Sequence, residues 1–152
     1  MILETIGIVL IIIGLLILFT TSFLARKNNN FPKEKREKLS NFCILIPARD
    51  EGKVIEDLLI SIKNQTKKVN MKDVYIIIES KNDPTVNIAK NYGATIFIRK
   101  RLDLKRKGYA LDECIKDLEE KKKYYDAYFI FDADNILDEN YLLEMEKSYQ
   151  QG

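Results

Sequence analysis

The sequence contains no histidine. That absence excludes imidazole acid–base catalysis and His-ligated metal sites from this chain. Cysteine is scarce as well. Cys43 and Cys114 are the only two, and both fall in apolar periodic segments, where they read as buried free thiols. Charge of either sign is not in excess: the net +2 gives no reason to invoke a nucleic-acid partner. Internal repeats and low-complexity tracts are lacking. The 152 residues leave room for one small domain.

What the chain does have, at its start, is a long uncharged run. Ile6 to Leu24 is 19 residues of mostly Ile, Leu, Val and Phe, or roughly 28 Å as a helix, close to the hydrocarbon thickness of a bilayer. A secretory signal peptide would need a basic start, a shorter apolar core and a small-residue cleavage site. Glu4 is the only early charge, and no clean cleavage pattern follows Ser22 and Ala25. Residues 1–25 are therefore expected to be a retained transmembrane anchor. Arg26, Lys27, Lys33, Lys35, Arg36 and Lys38 follow it and no basic residue precedes it. The positive-inside rule predicts a single-pass protein of the cell membrane with its soluble domain in the cytoplasm. The polar residues 26–41, with Asn28-Asn29-Asn30 and Pro32, read as a juxtamembrane linker near anionic headgroups.

From Phe42 onward, residues 42–152, strand and helix patterns alternate. Phe42–Ile46, ended by Pro47, is a short apolar run suited to a buried strand; Val74–Ile78 and Thr95–Ile98 read as a second and third strand, and Tyr128–Phe131 as a fourth, buried one that runs into the acidic turn. Between them, Val54, Ile55, Leu58, Leu59 and Ile62 recur at helical spacing, as do Leu111, Cys114, Ile115 and Leu118. Asp83-Pro84 looks like an N-cap with proline at the first helical position, and that helix should stop near Gly93. Asp138 caps a last helix carrying Leu142, Met145 and Tyr149. The order β-α-β-α-β-α-β-α predicts an α/β fold, a mostly parallel sheet with helices on its faces. Ligands bind such sheets beyond the C-terminal ends of the strands.

Those ends are acidic. The first strand runs into Pro47-Ala48-Arg49-Asp50-Glu51, the second into Glu79-Ser80-Lys81-Asn82-Asp83, and the fourth into Asp132-Ala133-Asp134-Asn135. Carboxylates gathered at one edge are costly unless compensated, and a cation or a set of ligand donors would relieve them. In extended chain Asp132 and Asp134 point the same way. As hard oxygen donors they suit Mg²⁺ or Mn²⁺, which use one or two carboxylates plus substrate phosphates. Asp and Asn are also simply good turn formers. Lys105-Arg106-Lys107-Gly108 precedes a helix whose free N–H groups would suit a phosphate, with Gly108 allowing close backbone approach and Lys107 adding a charge. A solvated or lipid-facing basic loop is the alternative, and it is the reading taken for Arg99–Arg101. Asp50 and Glu51 could be first-turn acids complementing a helix dipole. Arg49 could pair with them or contact a ligand.

Taken together, Phe42 to Met145 resembles glycosyltransferase family 2, whose fold is GT-A, a Rossmann-like sheet. Pro47-Ala48-Arg49-Asp50-Glu51 is similar to the family's first motif, which lines the nucleotide base. Glu79 falls where the family usually has an Asp on the base, and Asp83 and Thr85 match a trailing Asp-x-Thr. Lys107-Gly108-Tyr109-Ala110-Leu111 resembles the Lys-Gly-x-Ala-Leu segment beside the donor. Asp132-Ala133-Asp134 is similar to the metal and sugar-diphosphate motif. The resemblance implies sugar transfer from a nucleotide-diphosphate sugar. Pro47, Ala48, Arg49, Glu51, Glu79, Lys107, Gly108 and Asp132 would hold the donor, and Asp132 and Asp134 a Mn²⁺ or Mg²⁺ ion. The family's catalytic base lies well beyond the Asp-x-Asp motif, and no residue here corresponds to it. The expectation is an incomplete domain, the donor-binding portion. It would serve a lipid or cell-envelope acceptor, alone or with a partner chain supplying the acceptor half. The alternatives are a nucleotide-sugar-binding fragment without turnover and an inert truncation product.

Overall fold

The uncharged N-terminal stretch forms one continuous helix, α1 (Ile2–Lys27), in a computed structural model that describes residues 2–27, 39, 41–52 and 54–151. Thr5–Leu24 is long and apolar enough to cross a membrane. Leu10, Leu16, Phe19 and Phe23 are all exposed along it. Two of its polar residues near the end bond within the helix: the Thr20 and Thr21 hydroxyls donate to the Ile17 carbonyl at 3.0 and 2.9 Å. A helix that closes its own polar groups is what a hydrocarbon phase requires. Most of the expected linker, residues 28–38 and 40, lies outside the described residues. α1 and residues 36–150 fall into separate units.

The second unit is built on four parallel strands among the described residues: β1 (Phe42–Pro47), β2 (Val74–Ile78), β3 (Thr95–Ile98) and β4 (Ala127–Ile130). They lie in the order β3-β2-β1-β4. β1 and β2 are central, and covered on both faces they read as unbroken apolar runs. Register pairs Ile44 with Val74 and Pro47 with Ile77 on one side of β1, and Phe42 with Ala127 and Leu45 with Ile130 on the other. Pro47 lacks an N–H, so it ends β1, and the next N–H, that of Ala48, takes the Ile77 carbonyl at 2.9 Å.

Alternation along the strands divides the core. Ile44, Ile46, Ile76 and Ile78 face α2 (Ile55–Lys63), whose Leu58, Leu59 and Ile62 are fully buried, and α3 (Thr85–Asn91). Cys43, Leu45, Tyr75 and Ile77 face α4 (Lys107–Glu120) through Ala110, Cys114 and Leu118. Both thiols are buried and free, as expected. Burial pushes the Cys114 thiol up to about 12 and raises that of Cys43 as well. α3 closes as its sequence predicts: Gly93 has φ +81, its N–H takes Lys90 O, and the Ala94 N–H takes Ala89 O.

Two expectations are corrected. β4 ends one residue earlier than predicted and is an edge strand, half-buried, with Ile130 47% exposed. Its hydrophobicity resembles that of a central strand, but only β1 pairs with it. On the last helix, α5 (Tyr141–Gln151), Leu142 is buried while Met145 and Tyr149 are exposed, and Glu146 takes the inward place. Glu146 can be buried because Lys67 reaches it at 2.5 Å.

Candidate functional site

After β3 the chain passes back across the sheet to place β4 on the far side of β1. Ligands bind such sheets at the edge formed by the C-terminal ends of the strands. The loop after β1 enters this edge. Asp50 adopts φ +57, a left-handed conformation that aspartate tolerates better than most residues. The loop is pinned from the next connection. Asp83 Oδ2 accepts from the Asp50 N–H at 3.0 Å, and Asp83 Oδ1 accepts from the Thr85 N–H at 2.8 Å, as a helix cap would. A Cβ on Gly52 would lie 3.2 Å from the Pro84 Cβ, so glycine is what lets the loops pack this closely. Burial by itself would raise the Asp83 carboxyl, but the donors of Asp50 and Thr85 outweigh it and hold the group below the usual aspartate value.

The loop's acids do not serve as first-turn charges on α2; Glu56 and Asp57 hold those places. The Glu51 carbonyl instead accepts from Val54 and Ile55 N–H at 3.0 Å. The Glu51 and Arg49 side chains line a cavity of about 230 Å³ with Pro47, Ala48, Glu79 and Lys107. Six of the eight expected donor residues are thus brought together. A neighbouring polar cavity of about 240 Å³ shares Arg49 and Glu79 and adds Ser80, Asn82 and Asp83.

Gly108 and Asp132 are not among the lining residues of that cavity. Gly108 sits in the first turn of α4 with no atom within 4 Å of where a Cβ would be, so protein packing does not require glycine there. Asp132 connects to the cavity through Lys107, whose Nζ pairs with Asp132 Oδ1. The α4 N-terminus has no side-chain cap and no acid in its first turn.

The acidic motif is a turn rather than extended chain. The Asn135 N–H donates to the Asp132 carbonyl at 3.1 Å, and the Asn135 side chain accepts from the Asp132 N–H at 3.0 Å. Asp132 and Asp134 are exposed while Phe131 and Ala133 are buried. Among the described residues no group of three acidic, cysteine or histidine side chains is placed to hold a metal. A divalent ion here would rest on these two carboxylates, with its other positions left to water or ligand oxygens, a donor set that suits Mg²⁺ or Mn²⁺.

Sequence reasoning missed two parts of the site. The first is Arg99, taken above as solvent- or lipid-facing; it is 6% exposed, and its guanidinium donates to Glu79 Oε1 at 2.9 Å. Together with Lys107 on Asp132, it compensates the acidic edge with the protein's own cations. Only the position of Arg99, at the end of a strand beside an acidic one, hinted at this. The second is a polar stripe on α2 and the residues after it. Gln65, fully buried, donates to Asp138 O at 2.6 Å and accepts from the Leu142 N–H at 3.0 Å. Ser61 Oγ accepts from the Leu137 N–H at 3.1 Å. These bonds hold the segment that follows the acidic turn.

The sequence profile described as "Glycosyl transferase family 2" matches residues 43–152. The chain belongs to this family. Its fold is similar to that in the crystal structure of S. aureus TarS, with a TM-score of 0.50 and 16% sequence identity. That match covers 69% of this chain and 18% of the TarS chain, so this glycosyltransferase-family chain spans under a fifth of that structure. No curated protein matches the chain in sequence.

Proposed function

We propose that this family 2 chain binds a nucleotide-diphosphate sugar at the C-terminal edge of its sheet and takes part in transferring the sugar. The observation that carries the reading is the cavity where Pro47, Ala48, Arg49, Glu51, Glu79 and Lys107 meet. Family membership supports glycosyl transfer as the chemistry. Glu79 and Arg49 would face the nucleoside. Lys107, beside both the cavity and Asp132, would offer its ammonium to the diphosphate, and the uncapped N-terminus of α4 would add N–H groups. Asp134 and Asp132 would hold a divalent ion, which when bound neutralises diphosphate charge as a Lewis acid. α1 would anchor the chain in the cell membrane with the domain on the cytoplasmic side, a placement supported by its length, its apolarity and the basic residues after it. Alkaline carbonate should then fail to extract the chain from membranes; its release would refute the anchor.

Titration calorimetry of the full chain in detergent tests the donor site. UDP- or GDP-sugars should bind in the presence of Mn²⁺, and Asp134→Ala should weaken that binding by more than about tenfold. No binding by either nucleotide class, together with no effect of Asp134→Ala, would sink the reading.

A second reading is favoured by β4. As a sheet edge among the described residues, it would be open to pairing with a strand from a partner chain. Transfer that requires such a partner is its expected signature. Turnover by the purified chain alone would contradict it.

A further inference from the structure

The buried guanidinium of Arg99 is held at both of its terminal nitrogens. Nη2 donates to the carbonyls of Arg101 at 3.1 Å and Leu104 at 2.5 Å. Nε faces Glu113 Oε2 at 3.7 Å. Glu113 is itself fixed, since its Oε1 accepts from the Lys100 N–H at 2.6 Å and the Arg101 N–H at 3.3 Å. The remaining nitrogen, Nη1, holds Glu79 Oε1 at 2.9 Å. Glu79 is the group the cavity exposes: its side chain is 30% accessible against 4% for Arg99. Its second oxygen, Oε2, has the exposed Arg49 Nε at 3.8 Å, beyond hydrogen-bond distance.

We infer that Arg99 is a positioning residue for the donor site. It clamps one oxygen of Glu79 so that the other stays available to an N–H donor of the bound nucleoside. The inference rests on the donor-site reading above. The fork geometry matters, because three separate acceptors lie around one planar group. A lysine would keep the charge, yet its compact ammonium cannot span Glu79 and the two carbonyls together. Burial of the guanidinium, with its side chain 4% accessible, stiffens the clamp, since a largely buried cation is screened less than an exposed one.

The test uses the full chain in detergent with Mn²⁺ and three probes: UDP, GDP and inorganic pyrophosphate. Arg99→Lys should weaken the better-bound nucleotide by about tenfold, the range expected of coupled neighbours. Pyrophosphate lacks the nucleoside that Glu79 would meet, so its affinity should change by less than about twofold. Glu79→Gln should reproduce the nucleotide loss, and the double variant should be no weaker than Glu79→Gln alone. Equal losses for nucleotide and pyrophosphate would show a general loosening of the site and overturn the inference. So would additive losses in the double variant, or an unchanged nucleotide affinity in Arg99→Lys. If the unmutated chain binds neither nucleotide, the donor-site reading fails first and this inference with it. Should Arg99→Lys fold poorly by circular dichroism, Glu113→Gln, which loosens the same guanidinium from α4, should give the same selective loss. Its absence overturns the proposal.

Discussion

Lys67→Met is expected to destabilise the domain by about 3–5 kcal/mol, the usual cost of stranding a buried charge. Lys67 Nζ lies 2.5 Å from Glu146 Oε1, with side-chain exposures of 15% and 6%. The same ammonium donates to the Leu39 carbonyl at 3.0 Å and lies 5.4 Å from the centre of the Phe42 ring. One group thus ties the segment after α2 to the C-terminal helix and to the chain entering β1. Methionine fills the volume but leaves Glu146 without its cation. A typical domain has about 5–15 kcal/mol in total, so a loss of this size removes a large share of it. Urea unfolding followed by circular dichroism measures it. The control is Lys67→Met with Glu146→Leu, which should recover most of the loss, because replacing both members of a buried pair by apolar groups is often neutral. A single-variant loss below about 1 kcal/mol would mean that water reaches Glu146 freely.

Asp83→Ala should cost about 2 kcal/mol of stability and weaken nucleotide binding by about tenfold or more. The stability term comes from the Thr85 N–H, at a fully buried residue, which loses its acceptor. The binding term comes from the Asp50 N–H, whose bond to Asp83 holds the left-handed turn of the first donor loop. The effect carries a pH signature. The folded carboxyl lies below the ordinary aspartate value, so its contribution is complete above the unfolded value of about 3.9 and is lost as pH falls through the lower folded one. Wild type and Asp83→Asn should therefore differ most in stability near neutral pH and converge in acid. A gap that stays constant down to pH 2 would mean that the charge on Asp83 contributes nothing. Calorimetric titration with a nucleotide and Mn²⁺ at neutral pH checks the binding term.

Much of the fold was legible in the residues. Val74–Ile78 and Thr95–Ile98 are strands with the bounds that their apolar runs predict. Gly93 ends α3, and Asp83 accepts the N–H that a cap should. These are local matters, decided by a residue's own backbone preference and by its neighbours within one turn. The identity of the strand-end residues was equally legible, because every strand in a parallel sheet delivers its C-terminal end to the same edge.

Pairings between distant elements were not legible. Nothing near Arg99 distinguishes a buried guanidinium from the exposed Lys100 and Arg101 that follow it. Its burial depends on Glu79 and Glu113, which lie 20 and 14 positions away along the chain. Lys67 and Glu146, and Gln65 with the Asp138 and Leu142 backbone, follow the same rule over longer spans. The edge position of β4 also depended on strand order, which hydrophobicity does not encode. By itself, then, the sequence determined the element order, the apolar helix at the start and the acidic strand ends. Only the tertiary structure decided which charges neutralise one another, because a polar side chain can be buried only where a remote partner completes its hydrogen bonds.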